Sequence, residues 1–221
     1  MTVHGAYSTD EAKTYDADRE VEPLWHIENA YIASMLNRIH ASAILDVPVG
    51  TGRFFDLYAS GPVTGVDLSP AMLEQAGSRI RLAKASITLV EASVTALPVP
   101  ARHFDLVICW RLLHLLPPDM LDAVFTELRR VCRGTLCVQC YVPDVWWRRH
   151  LAKASRRLRR LRLIFARNRT LTSWSHIHIW LHPFELIAAS ARRSGWGDPI
   201  RNEQLGIYEG TRVLAVEWKA H

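Results

Sequence analysis

The stretch from Ile44 to Phe55, ILDVPVGTGRFF, constrains the fold more than any other part of the chain. An apolar run ends at Asp46, a turn with two glycines follows, and the segment from Arg53 to Leu57 has the pattern of a helix start. A strand, a glycine turn and a helix N-terminus form a nucleotide site, because glycine lets the backbone approach a ligand and the helix start offers free N–H groups. The stretch therefore predicts an α/β fold with a nucleotide-binding turn.

The spacing of the glycines distinguishes two kinds of nucleotide site. A dinucleotide fingerprint needs glycine at positions 48, 50 and 53, and only Gly50 meets this pattern. In class I S-adenosylmethionine-dependent methyltransferases an acidic residue precedes glycines at the positions of Pro48, Gly50 and Gly52. Asp46, Gly50 and Gly52 fit, so the stretch resembles that family. Pro48 is the departure, since proline has no N–H to offer a ligand. An ordinary glycine turn is the structural alternative.

A second motif lies downstream, where the segment from Val63 to Asp67 reads as a strand that ends in a carboxylate. Asp67 follows Asp46 by about 20 residues, which is the spacing of an acid that accepts hydrogen bonds from ribose hydroxyls. A carboxylate suits a diol because it accepts two hydrogen bonds at once. The alternative is a charge at the N-terminus of the next helix.

The family resemblance implies S-adenosyl-L-methionine as the cofactor and a binding site made of these residues: Asp46, Pro48, Gly50, Gly52, Asp67, Leu68, Met72, Ser93, Val94 and Cys109. Within this set, Leu68 and Met72 are expected to contact adenine. Ser93 stands where family members often have an aspartate that meets the adenine amine. A hydroxyl accepts that hydrogen bond more weakly than a carboxylate does.

The apolar segment from Phe104 to Trp110 predicts a buried strand. It resembles the family's strand that ends beside the transferring methyl group. Carried over to this sequence, Trp110 and Arg111 belong to the acceptor side and His114 faces the acceptor. An unperturbed imidazole titrates near about pH 6.5, so His114 is a candidate catalytic base. The alternative is a histidine that caps the following helix.

Strand and helix patterns alternate as far as residue 142, which predicts a parallel sheet covered by helices. Strand patterns at 200–207 and 211–218, joined by Glu209 and Gly210, predict a closing hairpin. With the resemblance, the predicted class is α/β: a Rossmann-like methyltransferase fold. It has a mostly parallel seven-stranded sheet, helices on both faces and a C-terminal antiparallel hairpin.

Three parts are predicted: an N-terminal lid and helix at 1–40, the cofactor-binding domain at 41–142 and 183–221, and a substrate-cap insertion at 143–182. In the first part, Tyr15 and Asp16 resemble a dipeptide found near the start of family members, whose N-terminal segment covers the cofactor. An exposed turn is the alternative for that dipeptide.

The insertion holds 10 of the chain's 27 Lys and Arg residues, and residues 145–184 contain no Asp or Glu. A regular apolar stripe predicts an amphipathic helix at 145–169. His176, His178 and Trp180 are expected to line a substrate pocket. No third ligand stands at metal spacing, so no metal is predicted. The alternative is a solvated basic helix whose stripe packs on the domain.

The composition of the chain limits the cellular location and the kinds of binding partner that we expect. The chain has four cysteines in no disulfide framework, which predicts core cysteines and a cytoplasmic location. The net charge of +5 arises in the insertion, so nucleic-acid binding is not favoured. We expect methyl transfer to oxygen or nitrogen of a small or amphiphilic acceptor, mainly by positioning. The alternatives are a membrane-borne lipid acceptor met through 145–169, and a non-catalytic cofactor-binding module with a protein partner. The oligomeric state stays open.

Overall fold

The computed structural model describes residues 9–59, 61–143 and 179–220. Its α-helices in these ranges are α1 (Thr9–Glu20), α2 (Pro23–Arg38), α3 (Pro70–Arg79), α4 (Leu121–Val131) and α5 (Phe184–Arg193). Its strands are β1 (Ile44–Asp46), β2 (Pro62–Asp67), β3 (Ser86–Glu91), β4 (Phe104–Cys109), β5 (Cys132–Pro143), β6 (Arg201–Tyr208) and β7 (Thr211–Lys219). The predicted helix at 145–169, His176 and His178 lie outside the described residues. None of the described helices combines the length and apolar character that a bilayer-spanning helix needs.

The strands form one sheet in the order β3-β2-β1-β4-β5-β7-β6. Strands β1 to β5 run parallel, and β7 is antiparallel to both β5 and β6. The predicted fold class is therefore confirmed. The strand order reverses between β1 and β4, and ligands of open α/β sheets bind beyond the carboxyl ends of the strands at such a point.

The central strands are apolar on both sides because helices cover both faces of the sheet. Leu45 and Val107 face a core shared with α4 and α5. Their neighbours Ile44 and Ile108 face a second core shared with α2 and α3. This alternation explains why β1 and β4 read as continuous apolar runs rather than as half-buried strands. All four cysteines are buried and free, as predicted.

Helix α2 is fixed to the far side of the sheet by a polar contact. The Tyr31 hydroxyl donates a hydrogen bond of 2.6 Å to Glu217 on β7, and Arg38 forms a 2.6 Å ion pair with the same carboxylate. Glu217 is fully buried. Because a buried carboxylate needs such partners, the contact sets the position from which α2 reaches the ends of β4 and β5.

One local prediction was wrong. The segment after the glycine turn forms only one 3-10 turn, Phe55–Leu57, because Gly61 and Pro62 force the chain out of helical geometry within a few residues. Elsewhere, Gly134 lies inside β5, where a Cβ atom would overlap the carbonyl oxygen of Asp105. The polar N-terminal segment is helical from Thr9 to Glu20.

Candidate active site

Two backbone hydrogen bonds hold the glycine turn to β4 and β2. The N–H of Val47 donates to Ile108 on β4 at 2.9 Å, and the N–H of Val49 donates to Val66 on β2 at 2.8 Å. Pro48 lies between them, so its missing N–H removes no contact that the two strands use to hold the turn. These bonds fix the turn above the carboxyl ends of the central strands.

The two glycines have different physical roles. Both adopt a positive φ, 55° at Gly50 and 76° at Gly52, which other residues rarely do. A Cβ on Gly52 would lie 2.6 Å from the Phe55 ring, so this position needs glycine for packing. No atom of residues 9–59, 61–143 or 179–220 lies within 4 Å of the corresponding point at Gly50. The turn therefore presents an open backbone surface at Gly50, where a ligand can approach.

Asp67 is held rigidly at the end of β2. One carboxylate oxygen accepts the N–H of Gly50 at 2.9 Å, and the other accepts the N–H of Ser69 at 2.9 Å. Burial raises the pKa of Asp67 above its ordinary value, and the backbone N–H groups act against that shift. Each carboxylate oxygen has a second lone pair, so Asp67 can accept the two ribose hydroxyls while it ties β2 to the turn.

Asp46 carries an unsatisfied acceptor beside the same turn. Its side chain is buried, and the Tyr58 hydroxyl donates to Oδ2 at 2.8 Å. The other oxygen, Oδ1, is buried and finds no hydrogen-bond partner in the described part of the chain. Burial raises the pKa of Asp46 to about 7, although the Tyr58 bond lowers it in part. A buried orphan acceptor of this kind fits a cofactor that carries positively charged ammonium and sulfonium groups.

The residues predicted around adenine differ in exposure. Leu68 is 38% exposed and offers an apolar surface next to Asp67, whereas Met72 is buried and presents no exposed surface to a ligand. The Ser93 hydroxyl accepts the Thr95 N–H at 3.3 Å and lies 2.9 Å from the Thr95 hydroxyl. Val94 is buried. These contacts leave Leu68 as the accessible apolar residue of this set.

Helix α1 contacts the glycine turn through Asp16. The Thr51 hydroxyl donates to this carboxylate at 2.8 Å, and Arg79 of α3 pairs with it at 2.5 Å. Asp16 is only 7% exposed, so it is not part of an exposed turn. The sequence signal at Tyr15 and Asp16 was weak because neither partner is close to it along the chain.

A cluster of buried charges lies at the ends of β4 and β5. Glu28 of α2 accepts from Arg53 at 2.7 Å and from Arg111 at 2.9 Å. The Gln139 amide of β5 donates to the second oxygen of Glu28, and its carbonyl accepts the Arg111 N–H at 3.1 Å. The Arg53 guanidinium also stacks 3.5 Å above the Trp25 ring. The cluster joins α2, the glycine turn and two strands at one point.

Glu28 was missed by the sequence analysis. The helical spacing of apolar residues in α2 also passes through Ile27, but Ile27 is 44% exposed. The buried face instead follows Leu24, Glu28, Tyr31 and Met35, and this spacing is equally helical. A carboxylate at a position of the buried stripe was the signal that pointed to a buried ion pair.

The predicted residues at the end of β4 are buried beneath the surface. Cys109 is fully buried, and Trp110 is 3% exposed. The Trp110 ring stacks on Tyr31 at 5.9 Å between ring centroids and meets Phe54 edge to face at 6.1 Å. Their roles toward cofactor and acceptor stay predictions.

His114 lies in the turn that follows β4, and its ring meets Tyr141 edge to face at 4.7 Å. Burial and then the charge of Arg111 lower the pKa of His114 to about 3. The expectation of an unperturbed imidazole was therefore wrong, since the pKa of His114 lies well below the ordinary value near about 6.5. Neutral imidazole can still accept a proton, but a pKa of this size makes it a weak base.

The end of the predicted insertion is fastened to the His114 turn. The Trp180 N–H donates to the His114 carbonyl at 2.7 Å. The His182 ring nitrogen Nε2 lies 3.0 Å from the carbonyl oxygens of both Leu113 and Leu116. A histidine ring that contacts backbone groups of this turn, the role considered for His114, is therefore observed for His182. Trp180 is 36% exposed at this place.

The chain matches a family model and many solved structures. Residues 44–135 match the model described as "Methyltransferase domain". This range runs from β1 into β5 and includes the glycine turn, Asp67 and His114. No curated protein gives a significant sequence match.

Three solved structures illustrate the likeness. Magnesium protoporphyrin IX methyltransferase from Synechocystis PCC 6803, with bound SAH, has a TM-score of 0.65 at 15% identity, covering 90% of this chain and 84% of that one. A protein from Pyrococcus horikoshii OT3 has a TM-score of 0.68 at 18% identity, with 98% and 100% covered. Human N-acetylserotonin methyltransferase in complex with SAM has a TM-score of 0.64 at 16% identity, covering 96% of this chain and 56% of that protein. At these identities the likeness shows the fold.

Proposed function

Since this chain belongs to the class I S-adenosylmethionine-dependent methyltransferases and uses S-adenosyl-L-methionine as its cofactor, we propose that it methylates an oxygen or nitrogen of a small or amphiphilic acceptor. One observation supports the proposal above all. The open turn at Gly50, tied to Asp67 at 2.9 Å, lies beside the end of β4, where charged and aromatic side chains gather. The cofactor and an organic acceptor would therefore bind next to each other.

The residues around the turn fit the cofactor in chemical type. Asp67 would accept the ribose hydroxyls, Leu68 would cover one face of adenine, and the free oxygen of Asp46 would accept from the ammonium group. When bound, the cofactor supplies a sulfonium methyl group that already reacts with nucleophiles. The protein's contribution is to hold the acceptor in line and to exclude water.

Positioning therefore carries more weight than proton transfer in this proposal. The only residue predicted as a base is His114, and its pKa is lowered to about 3. General-base catalysis contributes about 10²–10⁴ in rate when the pKa of the base matches the working pH. His114 lacks that match, so its expected role is to contact the acceptor together with Tyr141.

We expect the acceptor to bind beside a group of aromatic side chains. His114 contacts Tyr141, and Tyr141 meets Tyr208 edge to face at 6.2 Å. Trp180 lies next to His114 through its backbone bond of 2.7 Å. Such side chains suit a planar or amphiphilic organic molecule. The cap at 143–182 stays a sequence prediction.

A labelling experiment tests the proposal. The chain is incubated with methyl-labelled S-adenosyl-L-methionine and with separate small-molecule and lipid extracts. We expect label in a small organic product, and much less label with Asp67→Ala at a cofactor concentration that does not saturate the variant. The matched control is Asp56→Ala, because Asp56 is an exposed carboxylate near the same turn. Label that appears equally with Asp67→Ala would contradict the proposal, and label confined to the lipid extract would favour the membrane-borne alternative.

A further inference from the structure

We propose that Arg111 binds a carboxylate of the acceptor, so that the methylated molecule is an aromatic acid rather than a neutral or cationic compound. The inference rests on the proposed function, methyl transfer to a small acceptor, and names the substrate class for that site. It is carried by four observations: a guanidinium nitrogen without a partner among the described residues, an unbalanced buried charge, an unusual backbone conformation, and the aromatic side chains next to them.

One edge of the Arg111 guanidinium donates hydrogen bonds to Glu28, and another edge has no partner among the described residues. Its Nε and Nη2 atoms donate to the same oxygen of Glu28, at 3.2 Å and 2.9 Å. Nη1 is buried and has no hydrogen-bond partner among the residues that the structure describes. A guanidinium has five N–H donors in a plane, so Nη1 and the second N–H of Nη2 form an unused edge. Two parallel N–H groups on such an edge match a carboxylate.

The charges around this edge do not balance. Glu28 is the carboxylate that both Arg53 and Arg111 contact, and the side chains of these three residues are at most 8% exposed. Gln139 completes the contact with a neutral amide. Two guanidinium groups on one carboxylate leave a net positive charge in a buried place. Burying an uncompensated charge is costly, and a bound anion would remove that cost.

The backbone of Arg111 is also unusual. Its φ of 56° lies in the left-handed region, which is uncommon for a residue with a long side chain. Such conformations cluster at ligand sites because the surrounding structure holds them there. Here the Arg111 N–H is held by the side chain of Gln139 at 3.1 Å. The strain fixes the direction in which the guanidinium leaves β4.

The unused edge belongs to the acceptor side of the site. The cofactor turn follows β1, whereas Arg111 follows β4 and is held by Gln139 on β5, one strand further along the sheet. His114 and Tyr141 are close enough to Arg111 for its charge to lower the pKa of the imidazole and to act against the raised pKa of the phenol. A cation beside aromatic rings suits a planar acid, whose ring packs on the aromatic rings while its carboxylate meets the guanidinium.

Binding of a fluorinated acid and its amide tests the proposal directly. With saturating S-adenosylhomocysteine, 4-fluorobenzoate and 4-fluorobenzamide are titrated and observed by fluorine NMR. We expect the acid to bind and the amide to bind at least about 10-fold more weakly. This comparison uses the unsubstituted chain and does not depend on the folding of a variant. Equal affinities, or no binding of the acid, would overturn the proposal.

Two variants distinguish the effect of the unused edge of Arg111 from the effect of the positive charge that Arg111 shares with Arg53. Arg111→Gln should lower the affinity for the acid by about 10- to 100-fold and leave the amide unchanged. Arg53→Gln removes an equivalent charge from Glu28, but Arg53 already has partners on Nε, Nη1 and Nη2. This control should still prefer the acid over the amide. If both variants lose the preference equally, the edge of Arg111 has no special role.

The cofactor also carries a carboxylate that Arg111 could bind. Calorimetry distinguishes binding of the cofactor's carboxylate from binding of the acceptor's carboxylate. S-adenosylhomocysteine has this group and 5′-methylthioadenosine lacks it. If Arg111 binds the acceptor, Arg111→Gln leaves the affinity for both unchanged. If only the affinity for S-adenosylhomocysteine falls, Arg111 serves the cofactor and the acceptor assignment is overturned. If the unsubstituted chain binds neither compound, the proposed function itself fails, and that result is distinct from both others.

Discussion

Replacing Glu28 with alanine should destabilise the fold strongly. Glu28 is fully buried and accepts from Arg53 at 2.7 Å and from Arg111 at 2.9 Å. The substitution leaves two buried guanidinium groups without their counter-ion. Removing one partner of a buried ion pair typically costs about 3–5 kcal/mol. For a chain of this size each kcal/mol lowers the melting temperature by about 2–4 °C, which gives a fall of about 6–20 °C.

The assay is urea unfolding followed by tryptophan fluorescence, with thermal unfolding as the second measurement. Asp198→Ala is the matched control, because Asp198 pairs with Arg192 at 2.7 Å but its side chain is 74% exposed. An exposed pair of this kind contributes less than about 1 kcal/mol. If both variants lost the same small free energy of unfolding, the buried cluster would not hold α2 to the ends of β4 and β5.

Three further predictions concern pH and the insertion. Burial raises the folded pKa of Asp46 from 3.8 to about 7. The stabilising contribution of Asp46 is therefore complete at a pH below its unfolded-state pKa of 3.8, and it is lost as the pH rises through the folded-state pKa of about 7. Asp46→Asn should flatten the pH dependence of the free energy of unfolding between these two pKa values. An unchanged slope would contradict the raised pKa. Because the pKa of His114 is lowered to about 3, His114→Asn should leave the shape of the kcat profile between about pH 6 and 9 unchanged; an inflection near about pH 6.5 that the variant abolishes would restore the base role. A membrane-borne acceptor predicts that the chain sediments with anionic but not neutral vesicles at low salt, since each Lys or Arg of 145–169 near the surface contributes about 1 kcal/mol; no anionic preference would remove that alternative.

The glycine turn and its neighbouring strands were predictable because their signals are local. The apolar runs of β1 and β4, the glycines at 50 and 52 and the carboxylate of Asp67 all lie where sequence spacing places them. Asp67 contacts Gly50, only 17 positions away in the chain. Motifs of this kind specify their own geometry, and the structure adds the distances.

The buried charge cluster was not predictable in the same way. Glu28 and Gln139 stand 111 positions apart, and they meet only because β5 lies next to β4 and α2 crosses its end. No local pattern shows that Arg111 will adopt a positive φ or leave one edge unpaired. The missing helix after the glycine turn has a simpler cause, since the Gly61-Pro62 dipeptide was available in the sequence and outweighs the helical pattern before it.

Calorimetric titration with S-adenosylhomocysteine tests the central claim most directly, namely that the turn at Gly50 and the carboxylate of Asp67 form the cofactor site. We expect the unsubstituted chain to bind S-adenosylhomocysteine. Asp67→Ala should lose about 1.5–3 kcal/mol of binding free energy, or about 10- to 100-fold in affinity. Asp56→Ala, which removes an exposed carboxylate near the same turn, should bind as the unsubstituted chain does. No binding at millimolar cofactor, or equal affinities for Asp67→Ala and Asp56→Ala, would contradict the account.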